Sequence, residues 1–365
     1  MKIAILTFHY AYNYGAVLQS YATQRLLETM GHEVEFINYQ NKKIVSHYQR
    51  YHFKFKFKNI LSPVGLVYRF LRSKKQVIKE AQYNEFINQR LSVAPTLYKN
   101  NDIVDATGYD AVLIGSDQLW NPDLTGGLDE VYWGKMKKGP NTKIVAWAPS
   151  SLNLNYSQKE LDKIQQYLEN FSSLSVRDES LKNIVEKLTN KNISITLDPT
   201  FLLNKQEWIK LCHDVPEKNY VLMYAVRNVK QTYQIAKQVA KKYNKKLIVI
   251  RSLVNPLYNS HDKNTCSPED FLSYIYHADY VVASSFHGTA FSIIFEKQFI
   301  NFVPESSKDS RVLTILKALN LGDRAVNEKS SYSIIENVPD FKKANENLKL
   351  LADKSIGYLN NSINK

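Results

Sequence analysis

The stretch from residue 2 to residue 40 commits the chain to a parallel sheet. "KIAILTF" is a short unbroken apolar run, as a strand covered on both faces requires, and "HYAYNYG" reads as a turn. "AVLQSYATQRLLETMG" repeats its apolar residues at helical spacing and closes at Gly31, and "HEVEFINY" is the next strand. Two strands joined through a helix run parallel with a right-handed crossover, which is one βαβ unit.

The pattern pauses at about residue 41 and resumes near Tyr109 with "YDAVLIGSD". A Gly- and Pro-bearing loop follows, then "KIVAWAPSS", a helix over residues 157–170, "SSLSVRD", a short helix and "ISITLDPTFLL". A second run consists of "NYVLMYAVR", a helix over 231–243, "KKLIVIRS", a helix over 268–276, "DYVVASSF", a helix over 288–295, "QFINFVPE" and a helix over 311–319. With 365 residues the chain suits two domains of roughly 150 residues each. The expected division is residues 1–203, with a basic insertion over about 41–105 outside the sheet, then residues 204–340, then a helical tail over 341–365. The tail is polar, and its packing partner is left open by the sequence. Pro199, in "DPTFLL", fixes the backbone where the two runs join; it reads as a hinge or as plain structure.

Apolar residues make up 44% and charged residues 23%, as in a soluble globular protein. "MKIAILTFHY" is neither a signal peptide nor a span, and no run approaches the roughly 18 apolar residues of a transmembrane helix, so a cytoplasmic protein is expected. Cys212 and Cys266 lack CxxC spacing and read as buried thiols, with neither a disulfide nor a metal site expected. The net charge is +13, and residues 41–90 hold twelve Lys or Arg against Glu80 and Glu85, a local excess of ten. No nucleic-acid-binding motif accompanies these charges, so nucleic acid is not expected as a partner.

In open parallel sheets ligands bind beyond the carboxyl ends of the strands. Those ends carry residues 13–15, Asp117, Arg177, Arg227, Arg251 and His287, with Lys308 and Arg311 beyond the next strand. Such a gathering of cations either binds a multiply charged anion or includes structural pairs with Asp178 or Asp198. His287, in "SSFHGT" with Ser285 and Gly288, stands where a helix starts, and backbone N–H groups and the helix dipole there favour phosphate or carboxylate. The dipole lowers the histidine's pKa and a bound dianion raises it, so a ring poised near neutrality can donate a proton. The plainer alternative is a helix-capping histidine. His9 directly follows the first strand. "YNYGA", with Asn13 and Gly15, is not a GxGxxG fingerprint and reads as a tight turn exposing backbone N–H groups or as a simple helix start. In "GSDQLWNP", Ser116, Asp117 and Gln118 beside Trp120 suit a sugar's hydroxyls and its apolar face, or else form an Asx-type turn.

Five blocks, "LTFHYAYNYGAVLQSYA", "VLIGSDQLWNP", "SLSVRDES", "LDPTFLL" and "DYVVASSFHGTAFSIIFEKQFINF", together resemble the polysaccharide pyruvyl transferase family. The resemblance covers about residues 1–40 and 105–325, in order. It implies two Rossmann-like domains in a GT-B-like arrangement with an interdomain cleft, the second binding the donor. It also implies phosphoenolpyruvate as co-substrate without any cofactor. The acceptor it implies is a sugar in a cell-surface polysaccharide, such as a capsule or exopolysaccharide, or in its lipid-linked precursor.

Carried over residue by residue, His287 matches the family's catalytic histidine and Arg177 its donor-binding arginine, while Lys308 falls near a donor lysine. Ser285 stands where many members have arginine, leaving Arg311, Arg227 or Arg251 to hold the donor carboxylate. Asp117 is expected to accept a hydroxyl proton or to orient the acceptor. His9, Asn13, Gly15, Gln118 and Trp120 are the expected acceptor-binding set. The basic insertion, with "FKFKFK", suits the anionic inner face of the membrane, where each cation contributes about 1 kcal/mol, or is a solvated basic surface. A nucleotide-sugar glycosyltransferase and a non-catalytic basic binding module are the competing readings.

Overall fold

The computed structural model describes residues 1–49, 63–226, 229–252, 254, 262–305, 310–330 and 332–364. The chain forms two compact units. The first comprises Met1–Tyr48, Ile87–Leu203 and Leu348–Lys365, the second Gln49–Phe86 and Asn204–Asn347.

In the first unit the strands are β1 (Lys2–Leu6), β2 (Glu33–Gln40), β3 (Val93–Lys99), β4 (Asp105–Ala106), β5 (Ala111–Ile114), β6 (Lys137–Lys138), β7 (Lys143–Ala146), β8 (Ser173–Val176) and β9 (Ile193–Ile195). Seven of them form one sheet in the order β3-β2-β1-β5-β7-β8-β9, and β4 pairs with β6 separately. Every pairing in the large sheet is parallel. The chain starts in the middle, winds outward through β2 and β3, then returns to β5 and winds the other way. This is the doubly wound Rossmann order with an extra strand, and its switch point lies between β1 and β5.

The second unit repeats the scheme with β10 (Tyr220–Ala225), β11 (Lys246–Arg251), β12 (Asp262–Lys263), β13 (Tyr280–Ala283), β14 (Gln298–Phe302) and β15 (Ala325–Val326). Their order, β12-β11-β10-β13-β14-β15, is again the Rossmann order, with the switch point between β10 and β13. Each unit has its own hydrophobic core. The central strands β5, β10 and β13 are buried at every residue, as helices on both faces require.

Helix starts follow local chemistry. Asn13 caps Tyr14–Thr29, its side chain accepting from the Ala16 N–H at 3.2 Å. Capping boxes open Gln158–Leu168 (Ser157 with Glu160) and Pro268–His277 (Ser267 with Asp270). The C-terminal helix Phe341–Asn364 lends its last part to the first unit. There the Tyr358 hydroxyl donates to the Ala146 carbonyl at 3.0 Å and its ring stacks on Trp147, while Lys143 Nζ donates to the Ile363 carbonyl at 2.9 Å.

One expectation is corrected. Residues 41–105 were expected to lie outside the sheet, yet β3 pairs with β2 as the sheet's edge strand. Its burial alternates poorly because an edge strand is half solvated, and Pro95 is tolerated there because one side of the strand needs no partner. Residues 50–62, with "FKFKFK", lie outside the described residues.

Gly115, just past β5, has φ +142°, and a Cβ on it would lie 1.8 Å from the Trp147 carbonyl oxygen. No flexible side chain can yield there. Gly115→Ala is expected to cost at least about 3 kcal/mol and to lower the melting temperature or soluble yield sharply. Gly108→Ala, at a position with open space, should change neither; thermal denaturation of the two variants checks this.

Candidate functional site

In the first unit a buried polar lattice ties the switch point together. Beyond β1, the Thr7 hydroxyl donates to the Ser116 carbonyl at 3.1 Å and accepts from the Gln19 amide at 2.9 Å. Gln19 Oε1 in turn accepts the Ser116 N–H at 3.2 Å. The Ser116 hydroxyl donates to the Ala148 carbonyl at 3.1 Å and accepts from the Arg177 guanidinium. Arg177, following β8, pairs with Asp198 at 2.8 Å, both side chains being almost wholly buried. Asp198 also accepts from the Thr200 N–H at 3.0 Å and hydroxyl at 2.8 Å. Of the two roles open to Arg177, the structure displays the ion pair with Asp198. Asp178 caps the helix Glu179–Val185 through the Leu181 N–H.

Asp117 follows in a left-handed conformation, φ +75°, half-buried, its carbonyl accepting from the Ser150 N–H at 2.7 Å. Gln118 Oε1 accepts from the Asn121 amide at 2.9 Å.

Four of the expected acceptor residues are buried or otherwise engaged. Trp120 is buried, stacked on Trp133 at 4.1 Å, and donates its indole N–H to the Tyr132 carbonyl at 2.9 Å, so its ring is core rather than a plate for a sugar. His9 is also buried, beside Phe36, with Nδ1 3.2 Å from the Thr7 carbonyl. Burial pulls its pKa down to about 4, leaving the ring neutral at pH 7. The helix already begins at Tyr14, so Gly15 sits buried in its first turn and Asn13 is occupied as the cap.

A group that sequence reasoning missed lies beyond the carboxyl ends of β2 and β3. A cavity of about 590 Å³ opens there, lined among others by Tyr39, Asn101, Asp102, Asp129 and Met136. Asp129 accepts from the Tyr39 hydroxyl at 2.7 Å and the Asn41 amide at 2.6 Å, and burial raises its carboxyl pKa above the ordinary value. Asn41, placed directly after the carboxyl end of β2, was the available signal.

In the second unit the carboxyl end of β13 runs straight into the helix Phe286–Ile294 at the switch point. Ser285 caps this helix, its hydroxyl accepting from the Gly288 N–H at 3.1 Å. Gly288 is required, since a Cβ would lie 2.8 Å from Ser285 Oγ and 3.1 Å from both Ala283 Cβ and the Tyr224 ring. Asn301 on β14 steadies the turn by donating to the Ser285 carbonyl at 3.2 Å. His287 is half-buried in this first turn, its ring edge-on to Phe286 at 5.2 Å. Arg311, largely buried, lays its guanidinium over the Phe286 ring, 5.8 Å from its centroid. One cation and the histidine therefore gather at a helix N-terminus that caps a switch point. Arg251 is instead engaged with Asp262 at 3.1 Å, and Lys308 and Arg227 lie outside the described residues.

Removing the Arg177 charge should leave Asp198 buried without this counter-charge. Arg177→Ala is expected to destabilise by roughly 3–5 kcal/mol, and Arg177→Met combined with Asp198→Leu to recover most of that loss. Urea denaturation of the two variants measures the difference.

A family model described as polysaccharide pyruvyl transferase matches residues 13–306. No curated protein sequence matches the chain. Among solved structures, a Listeria monocytogenes protein assigned as a UDP-N-acetylglucosamine 2-epimerase is 9% identical, with 98% of this chain and 95% of that chain covered and a TM-score of 0.52. The UDP-GlcNAc 2-epimerase of Neisseria meningitidis, bound to UDP-GlcNAc, is 12% identical over 97% of this chain and 94% of that one, with a TM-score of 0.47. The E. coli heptosyltransferase WaaC with ADP is 9% identical over 97% and 100%, with a TM-score of 0.40. At such identities the likeness concerns the fold alone. The family match covers most of the chain and takes in Asp117, Arg177 and the "SSFHGT" turn, and the chain belongs to the polysaccharide pyruvyl transferase family.

Proposed function

We propose that the protein moves the enolpyruvyl group of phosphoenolpyruvate onto two hydroxyls of a sugar, forming a pyruvate ketal and releasing phosphate. The observation that carries this reading is the second unit's switch point, where Ser285, His287, Gly288 and Arg311 surround a helix N-terminus. A dianionic phosphate with a carboxylate is the kind of ligand such an end favours.

In the proposed reaction protonated His287 gives its proton to the donor's methylene carbon as that carbon's double bond to C2 is consumed. One sugar hydroxyl bonds to C2 and returns its proton to His287. The C2–O bond to phosphate then breaks, the second hydroxyl closes the ketal, and its proton leaves with phosphate. Arg311, with Lys308 and Arg227 as further donor cations, offsets the charge on phosphate and carboxylate. The N–H groups of the Ser285-capped turn support the same anion.

Asp117 is proposed to orient the acceptor hydroxyls. Arg177, whose charge is already met by Asp198, enters this reading through the position it gives Ser116 and the segment leading to Asp117. The cavity bearing Asn101, Asp102 and Met136 combines amide, carboxylate and apolar groups, the mixture a sugar needs. The acceptor is proposed to be a lipid-linked precursor of a capsule or exopolysaccharide, met at the inner membrane face.

Screening lipid-linked and nitrophenyl glycosides with phosphoenolpyruvate should show a ketal product by mass together with released phosphate. His287→Ala should lower turnover by at least about a hundredfold while its melting temperature stays that of the parent. Full turnover in that variant, or thermal stabilisation by UDP- or GDP-sugars and none by phosphoenolpyruvate, overturns the reading.

A further inference from the structure

The long helix Pro63–Arg90 buries two polar side chains beside two aromatic ones and exposes apolar side chains over residues 70–78. Facing the protein are Gln76, Lys79, Tyr83 and Phe86, all at most 5% exposed and spaced three and four residues apart. Lys79 is taken fully out of water, its ammonium donating to the Ser252 carbonyl at 2.5 Å, and burial draws its pKa down to about 8. Turned outward are Phe70 (60% exposed), Leu71 (45%), Val77 (55%) and Ile78 (49%). A helix meeting only water on that side places such residues the other way round. The four outward apolar residues lie within about 120° of arc, and Lys74 shares the face with its ammonium 4.5 Å from the Phe70 ring.

We propose that this outward face rests on the surface of an anionic phospholipid bilayer. Apolar and aromatic side chains interleaved with lysines are what an interfacial helix presents to headgroups and the first carbons of the acyl chains. The charge is complementary over a long stretch. Between Glu35 and Glu80 the sequence has eleven Lys or Arg and no acid. Glu85, exposed on the same side two turns further on, bounds the patch to residues 70–78. Membrane contact is thereby assigned to a defined helix face. The assignment stands independently of the reaction proposed above, because vesicle binding is read without donor or acceptor.

The test is flotation of the full chain with vesicles of phosphatidylglycerol and phosphatidylcholine, against vesicles of phosphatidylcholine alone. Binding is expected only with phosphatidylglycerol present and should weaken as salt rises. Phe70→Ser with Ile78→Ser, and separately Lys74→Glu with Lys75→Glu, should each lower partitioning by roughly tenfold or more. Circular dichroism and melting temperature should stay those of the parent in both variants. Three results overturn the proposal. They are no binding to phosphatidylglycerol vesicles, binding that both double variants retain, and concentration-dependent self-association that Phe70→Ser with Ile78→Ser abolishes, which would make the face a protein interface.

Discussion

Parallel strands cannot be joined by hairpins, and that constraint organises this protein. Each pair needs a crossover, each crossover covers a face of the sheet, and a sheet begun in its middle has to reverse its winding once. Reversal leaves one place in each unit where neighbouring crossovers diverge and strand ends are left open. In the first unit that place, between β1 and β5, is filled by Thr7, Gln19, Ser116 and the Arg177–Asp198 pair. In the second, between β10 and β13, it receives a helix end bearing His287. The same topology thus produces one switch point filled by a polar lattice and one that carries a helix N-terminus.

The two differ in what their buried arginines face. Arg177 and Asp198 are both withdrawn from water, where the guanidinium is held by a carboxylate and by Ser116, so its charge serves order around Gly115 and Asp117. Arg311 is also largely buried, but it lies over an aromatic ring beside a histidine at the positive end of a helix.

The strands that the sequence displayed best are those buried on both faces, such as "KIAIL" and "YVLMYA", because an unbroken apolar run has few other uses. β3 was missed for the opposite reason: an edge strand containing Pro95 carries no such run. "SSFHGT" was legible as a helix start because Ser285 caps it and Gly288 fits its close approach, both local properties. Trp120 and His9 were misjudged because their fate is set by distant partners, Trp133 and Phe36, which no local pattern reveals. The cavity near Asp129 is likewise assembled from segments far apart in the chain.

The packing of Tyr358 and Ser355 against β7 and the segment after β9 has a consequence for biosynthesis. The Ser355 hydroxyl accepts the Leu197 N–H at 3.0 Å, and the ring of Tyr358 covers Trp147, so residues made after the second unit's strands complete the wall of a sheet whose own strands were made before them. All the strands of the second unit are synthesised in the interval. On the ribosome, then, the later unit has its whole sheet available while the earlier one still lacks its covering helix. The order of completion runs opposite to the order of translation.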